Sequence, residues 1–185
     1  IMASELSVQT IKGPASGGNA NKIIIPTGQT LEVTDNIRYE DMPAGSIIQV
    51  ITDDFATVVG TTSTSFVDTG VQATITPRFA TSKIFINVSQ AFSMVGPNNN
   101  QYQANLIITT GGNTSLFGNT TWDQFRIKDM TAISWQATMQ FTHSPATTSA
   151  STYKTRMKSQ YGTGNNVYAQ YTGSMSSITL MEIKQ

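Results

Sequence analysis

Apolar and polar residues alternate strictly over residues 133–142, Ile-Ser-Trp-Gln-Ala-Thr-Met-Gln-Phe-Thr. Period two over ten residues predicts a strand with one face in a core and one in water. A helix face would need apolar residues three and four apart. Trp135 and Phe141 are the largest residues of the inward face, and other stretches are expected to form sheets that pack on it. Shorter alternating runs recur along the chain. Residues 47–51, 71–76, 83–92, 103–108, 152–161, 167–171 and 177–183 read as strands, with a weaker one at 56–59.

The breaks between these runs are turn residues. Asp53-Asp54 predicts a turn or bulge, Thr69-Gly70 a turn, and Gly111-Gly112-Asn113 a strand end. Residues 162–166, Gly-Thr-Gly-Asn-Asn, predict a hairpin turn. Residues 96–100 predict a loop, and 115–130 an irregular segment with Trp122, Phe125 and Ile127 partly buried. Eight to ten short strands without a helical pattern predict an all-β chain: an antiparallel β-sandwich or jelly roll.

Residues 1–44 read differently. Residues 7–12 alternate, a Gly/Ser/Asn breaker follows, and Ile23-Ile24-Ile25-Pro26 precedes a turn at 27–30. These pieces predict a short extended N-terminal arm with β-hairpin pieces, followed by a sandwich over 45–185. The arm's apolar residues Val8, Ile11, Ile23, Ile24, Ile25, Leu31 and Val33 have too few neighbours to bury a core within one chain. Three chains wound together would cover them, so a homotrimer is expected.

Composition narrows the function. Charged residues are 12% of the 185, and the balance is polar and uncharged, with 28 Thr. Thr in alternating runs suits sheets whose outer faces carry hydroxyls. Net charge is zero, so there is no basic excess to neutralise phosphates and nucleic acid is not an expected partner. No apolar run approaches the roughly 18 residues of a spanning helix, and the first residues lack the pattern of a signal peptide. With no Cys there is no disulfide framework or thiolate metal site.

Catalytic chemistry finds little support. The single His, His143, stands in an expected loop beside Ser144, and nothing in the sequence supplies the orienting group and oxyanion donors of a relay. It reads as a surface or rim residue. The acidic pairs Glu40-Asp41 and Asp53-Asp54 read as turn acids, because neighbours in a strand point to opposite faces. No phosphate-binding glycine loop is present. The expectation is a non-enzymatic protein with no catalytic residue, cofactor or metal. Six residues stand out in loops: Asn98, Asn99, Asn100, Trp122, Asn165 and Tyr168. Amides beside aromatic rings suit sugar hydroxyls and the apolar sugar face.

Three stretches resemble one family. Residues 5–12 (Glu-Leu-Ser-Val-Gln-Thr-Ile-Lys) with 20–28 resemble the N-terminal region of virion structural proteins of tailed bacteriophages, in particular marine and cyanobacterial phages. Residues 45–50 (Gly-Ser-Ile-Ile-Gln-Val), 64–70, 75–77 and 82–84 resemble the opening of their C-terminal domain, and 177–183 its closing strand. The middle of the chain, about 90–170, is unmatched. The resemblance implies a tail-fibre or spike component, made in the host cytoplasm and trimeric in the virion. It would contact other tail, baseplate or capsid proteins, and its variable middle would carry distal loops. Host surface glycan is the ligand the loop chemistry suits. A capsid decoration protein is the alternative, followed by a free lectin-like module.

Overall fold

A computed structural model describes residues 13–18, 23–30, 38–96, 101–118, 124–128, 131–162 and 164–185, with Gln101 as backbone only. The chain divides into two compact units, residues 1–38 and 39–185. In the first unit, the described residues include a turn closed by Gln29 N donating to Pro26 O at 3.0 Å.

The second unit is a two-layer antiparallel β-sandwich. Its first sheet is built on β4 (Lys83–Val95), the longest strand among the described residues. One edge of β4 pairs with β8 (Ala132–His143), continuously from Ile84 opposite His143 to Val95 opposite Ala132. Its other edge is shared. β11 (Ser176–Ile183) takes the first half and β10 (Asn166–Ala169) the second. β1 (Ile47–Phe55) then pairs with β11, and β2 (Val59–Thr61) with β10.

The second sheet repeats this plan on β5 (Gln101–Thr110). β9 (Ser151–Ser159) pairs with one edge, and β3 (Val67–Ile75) lies beyond it. β7 (Phe125–Lys128) and β6 (Ser115–Phe117) share the other edge. Ile84, Ile86, Val88, Phe92 and Met94 of β4 face Leu106, Ile108, Tyr153 and Met157 across the sandwich, all essentially inaccessible to water. At roughly 25 cal/mol per Å² of apolar surface removed from water, this interface is the main source of stability.

Two polar clusters lie inside this apolar layer. Gln90 projects from β4 toward the second sheet, where its Oε1 accepts from Thr155 Oγ1 at 2.8 Å and Thr69 Oγ1 at 3.4 Å. Its Nε2 donates to Ser176 Oγ at 3.0 Å. Gln170 completes the group, its Oε1 accepting from Ser176 Oγ at 2.9 Å and its Nε2 donating to Thr69 O at 3.1 Å. Such groups are tolerated in a core only when their hydrogen bonds are met. At one end of the sandwich the fully buried Glu182 accepts from the backbone N–H of Arg78 at 2.7 Å and Phe79 at 3.3 Å, and from Gln49 Nε2. It pins the β3–β4 connection to β11.

Several expectations change. The regular strand at 133–142 is real but, among the described residues, stands at an edge, with Trp135 and Phe141 only half-buried; β4 is the centre. Thr69-Gly70 is not a turn. Gly70, at φ +90°, sits in a register break between Asp68 and Gln72, a bulge that lets β3 continue. Asp53-Asp54 lies within β1 rather than ending it. The run at 56–59 contributes only Val59 to a strand, and 115–130 contains the two short strands β6 and β7. No hairpin joins β9 to β10 across the expected turn, because β9 lies in the second sheet and β10 in the first.

Candidate functional site

A cleft of about 350 Å³ opens where the β5–β6 turn meets the start of β9. Gly111 and Gly112 form one wall, His143 and Pro145 another, and Ser151, Thr152 and Tyr153 the third. His143, expected in a loop, is the last residue of β8. Pairing with β4 holds it in place, and its Nδ1 lies 2.9 Å from Tyr153 Oη. The two rings meet edge to face, with centroids 5.7 Å apart.

Burial sets the charge state of this pair. Desolvation pushes the imidazole below its usual 6.5, so His143 is neutral at pH 7. The same effect pushes the Tyr153 phenol up to about 12, so it keeps its proton. The cleft therefore presents neutral donors and acceptors with glycine backbone between them. The arrangement can bind a neutral polar group. No group of three metal-ligating side chains occurs among the described residues.

The cations on the outer face of the second sheet are engaged too. Lys154 Nζ and Arg156 Nε each donate to Asp68 at 2.8 Å, and Arg156 Nη2 donates to Phe66 O at 2.6 Å. Lys158 Nζ lies 5.0 Å from the centroid of the Phe66 ring. Burial alone would raise the Asp68 carboxyl. The hydrogen bonds and charges of Lys154 and Arg156 outweigh it and hold Asp68 below the usual carboxylate value.

The residues singled out in the sequence fall in different surroundings. Asn165 is buried, and its Nδ2 donates to Gln103 O at 2.9 Å. Tyr168 lies flat over Gly60, directly opposite on β2; a Cβ at Gly60 would stand 2.6 Å from its ring. It also packs against Tyr171, with centroids 4.6 Å apart and the rings tilted by 33°. Asn98, Asn99, Asn100 and Trp122 lie outside the described residues, as do Val8, Ile11, Leu31 and Val33. Ile23, Ile24 and Ile25 are 58%, 55% and 42% exposed, a contiguous apolar run open to solvent.

The sequence gives no pointer to an aromatic cluster on the open side of the sandwich. Phe92, Phe125 and Trp135 meet with every centroid pair between 5.1 and 5.2 Å. A groove of about 300 Å³ runs beside them, lined by Gln124, Phe125, Arg126, Ile127, Ile133 and Trp135. Trp135 is legible through its alternating run and Phe125 as a partly buried residue, but nothing in the sequence brings them together with Phe92.

No protein-family profile matches the chain. No curated protein matches it in sequence. Some solved structures align with it in backbone course. The structure of infectious bursal disease virus Gt strain aligns with 99% of this chain and 54% of its own, at 11% identity and a TM-score of 0.35. A mutant VP2 protein of the same virus, in derived T=1 particles, aligns with 92% of this chain and 44% of its own, at 10% identity and a TM-score of 0.38. The Gx strain gives 90% and 44%, at 10% and 0.35. The chain thus spans about half the length of the solved chains it matches.

Proposed function

We propose that this chain is a non-enzymatic structural protein of a tailed-phage virion, of the tail-fibre or spike type. Residues 1–44 attach and trimerise it, and the sandwich forms a rigid head. Its partners are two further copies of itself and neighbouring tail, baseplate or capsid proteins. The resemblance of residues 5–12, 20–28, 45–50, 64–70, 75–77, 82–84 and 177–183 to such proteins supports the virion role. The single observation that carries the assembly role is the exposed run Ile23-Ile24-Ile25. Three adjacent exposed isoleucines are a liability for a free monomer and an asset where other copies cover them.

Host contact through neutral surface glycan is the binding half of this proposal. Asn98, Asn99, Asn100 and Trp122 remain its loop candidates, and the neutral cleft at His143 and Tyr153 supports the same ligand class. Binding of this kind varies weakly with salt, since no phosphate or carboxylate contact is involved.

The test is the mass of the full chain in solution by light scattering, at micromolar concentration. The triple variant Ile23→Ser, Ile24→Ser, Ile25→Ser is expected to have one third of the wild-type mass, with its sheet circular dichroism unchanged. An unchanged mass overturns the arm's role in trimerisation.

A further inference from the structure

Natural sheets protect their edges with charge, proline, bulges or brevity, because an open edge templates pairing with another strand. This sandwich does so nearly everywhere. β1 carries Asp53 and Asp54 and a register break between Ile47 and Gln49. β3 carries the Gly70 bulge and Asp68. β2, β6 and β7 are only three or four residues long.

β8 is the exception. Its twelve residues contain no Asp, Glu, Lys, Arg, Pro or Gly. It pairs with β4 without a register shift, so it has no bulge. Among the described residues no strand pairs with its other edge. Its inward side is also incompletely covered. Ile133, Trp135 and Phe141 pack against the core yet are only half-buried, and the groove of about 300 Å³ runs beside Ile133 and Trp135. Phe117 of β6 stacks on Phe141 at 5.4 Å from the other sheet, without pairing its backbone.

We infer that β8 is a copy-to-copy interface, in which the β8 strands of two chains pair antiparallel about a two-fold axis and join two first sheets into one. The sequence of β8 is self-complementary under that operation. With the axis at Thr138, Trp135 stands opposite Phe141, Ala137 opposite Met139, Gln136 opposite Gln140, and Ser134 opposite Thr142. On the core side Trp135 and Ala137 meet apolar partners and Ile133 meets His143, and amides and hydroxyls meet their like on the outer side. A shift by one residue would place every apolar side chain against a polar one, so the alternation excludes odd shifts, and the axis at Thr138 is the one that sets Gln136 against Gln140. A two-fold contact needs one surface patch to match itself. An uncharged edge on a chain of zero net charge sets no like charges against each other. This contact is proposed in addition to the role of residues 1–44 and adds a two-fold to the three-fold proposed for them.

The test uses the full chain. Thr138→Lys sets two like charges face to face on the axis while leaving the inward face of β8 untouched. Its mass by light scattering is expected to be half that of wild type, with circular dichroism and thermal midpoint retained. Thr52→Lys, exposed on β1 at the far side of the same sheet, is expected to keep the wild-type mass. Because the chain has no Cys, Thr138→Cys can cross-link only between chains, and mild oxidation is expected to give a covalent pair that reductant dissolves. Equal masses for folded Thr138→Lys and wild type overturn the inference. So does a Thr138→Cys protein that stays single under oxidation, or that cross-links in virions only to a different protein. A threefold loss of mass belongs to the arm and a twofold loss to β8, so the two proposals fail separately.

Discussion

Tyr153 Oη sits 2.9 Å from His143 Nδ1, joining the start of β9 in one sheet to the end of β8 in the other. Both groups are neutral at pH 7, and burial further disfavours their charged forms. The folded value of His143 is depressed, so its contribution to stability is complete above the unfolded value of 6.5 and is lost as the pH falls through the lower folded value. The folded value of Tyr153 is raised. Its contribution is complete below 10.0 and is lost as the pH rises through about 12. Thermal midpoints against pH should therefore fall at both ends. His143→Gln should remove this residue's share of the acid-side decline and leave the alkaline one. An acid limb identical in His143→Gln and wild type would show that His143 does not titrate across unfolding.

Phe92 is 1% exposed at the centre of the aromatic cluster, whereas Trp135 stands at its open side. Phe92→Ala should cost about 3–5 kcal/mol, the usual penalty for emptying a fully packed aromatic site. Trp135→Ala should cost less despite the larger side chain, because water already reaches part of it. Gln136→Ala, on the outer face, loses exposed bonds to Ser89 and Met175 and should cost least. Urea denaturation of the three variants gives the order directly. Trp135 above Phe92 would place β8 inside the sheet rather than at its edge.

The buried bridge through Gln90 should behave as a unit. Thr155→Val removes a donor while the Gln90 carboxamide stays buried, which should cost about 1–3 kcal/mol. Thr155→Val and Gln90→Leu together should cost less than the sum of the two, since the second removes the group the first leaves unpaired. Simple addition in a double-mutant cycle would mean the two side chains act independently.

The sequence shows which stretches are strands because alternation is a local property, and residues 133–142 display it without a break. Rank within a sheet is not local. The strong alternation of β8 arises because its outer face meets solvent, whereas β4 is more deeply buried and its pattern blurs after Gln90. Polar residues inside the core mislead in the same way: Gln90 and Thr155 look like surface positions until the facing sheet supplies their partners. Gly70 looks like a turn because turns and bulges use the same positive φ. Asn165 looks like a loop tip because Asn suits turns, yet its amide is taken up by Gln103 O. Tyr168 looks available for a ligand, but the missing side chain at Gly60 gives its ring a place to lie.

The central claim, a structural role in a virion, is tested most directly by gold-labelled antibody against this chain on purified phage particles under the electron microscope. The account predicts label confined to the tail or its fibres, and label lost from particles lacking the gene for this chain. Label spread over the capsid would replace the fibre reading with a decoration protein. Particles without label, from lysates in which the chain is abundant, would contradict the virion role itself.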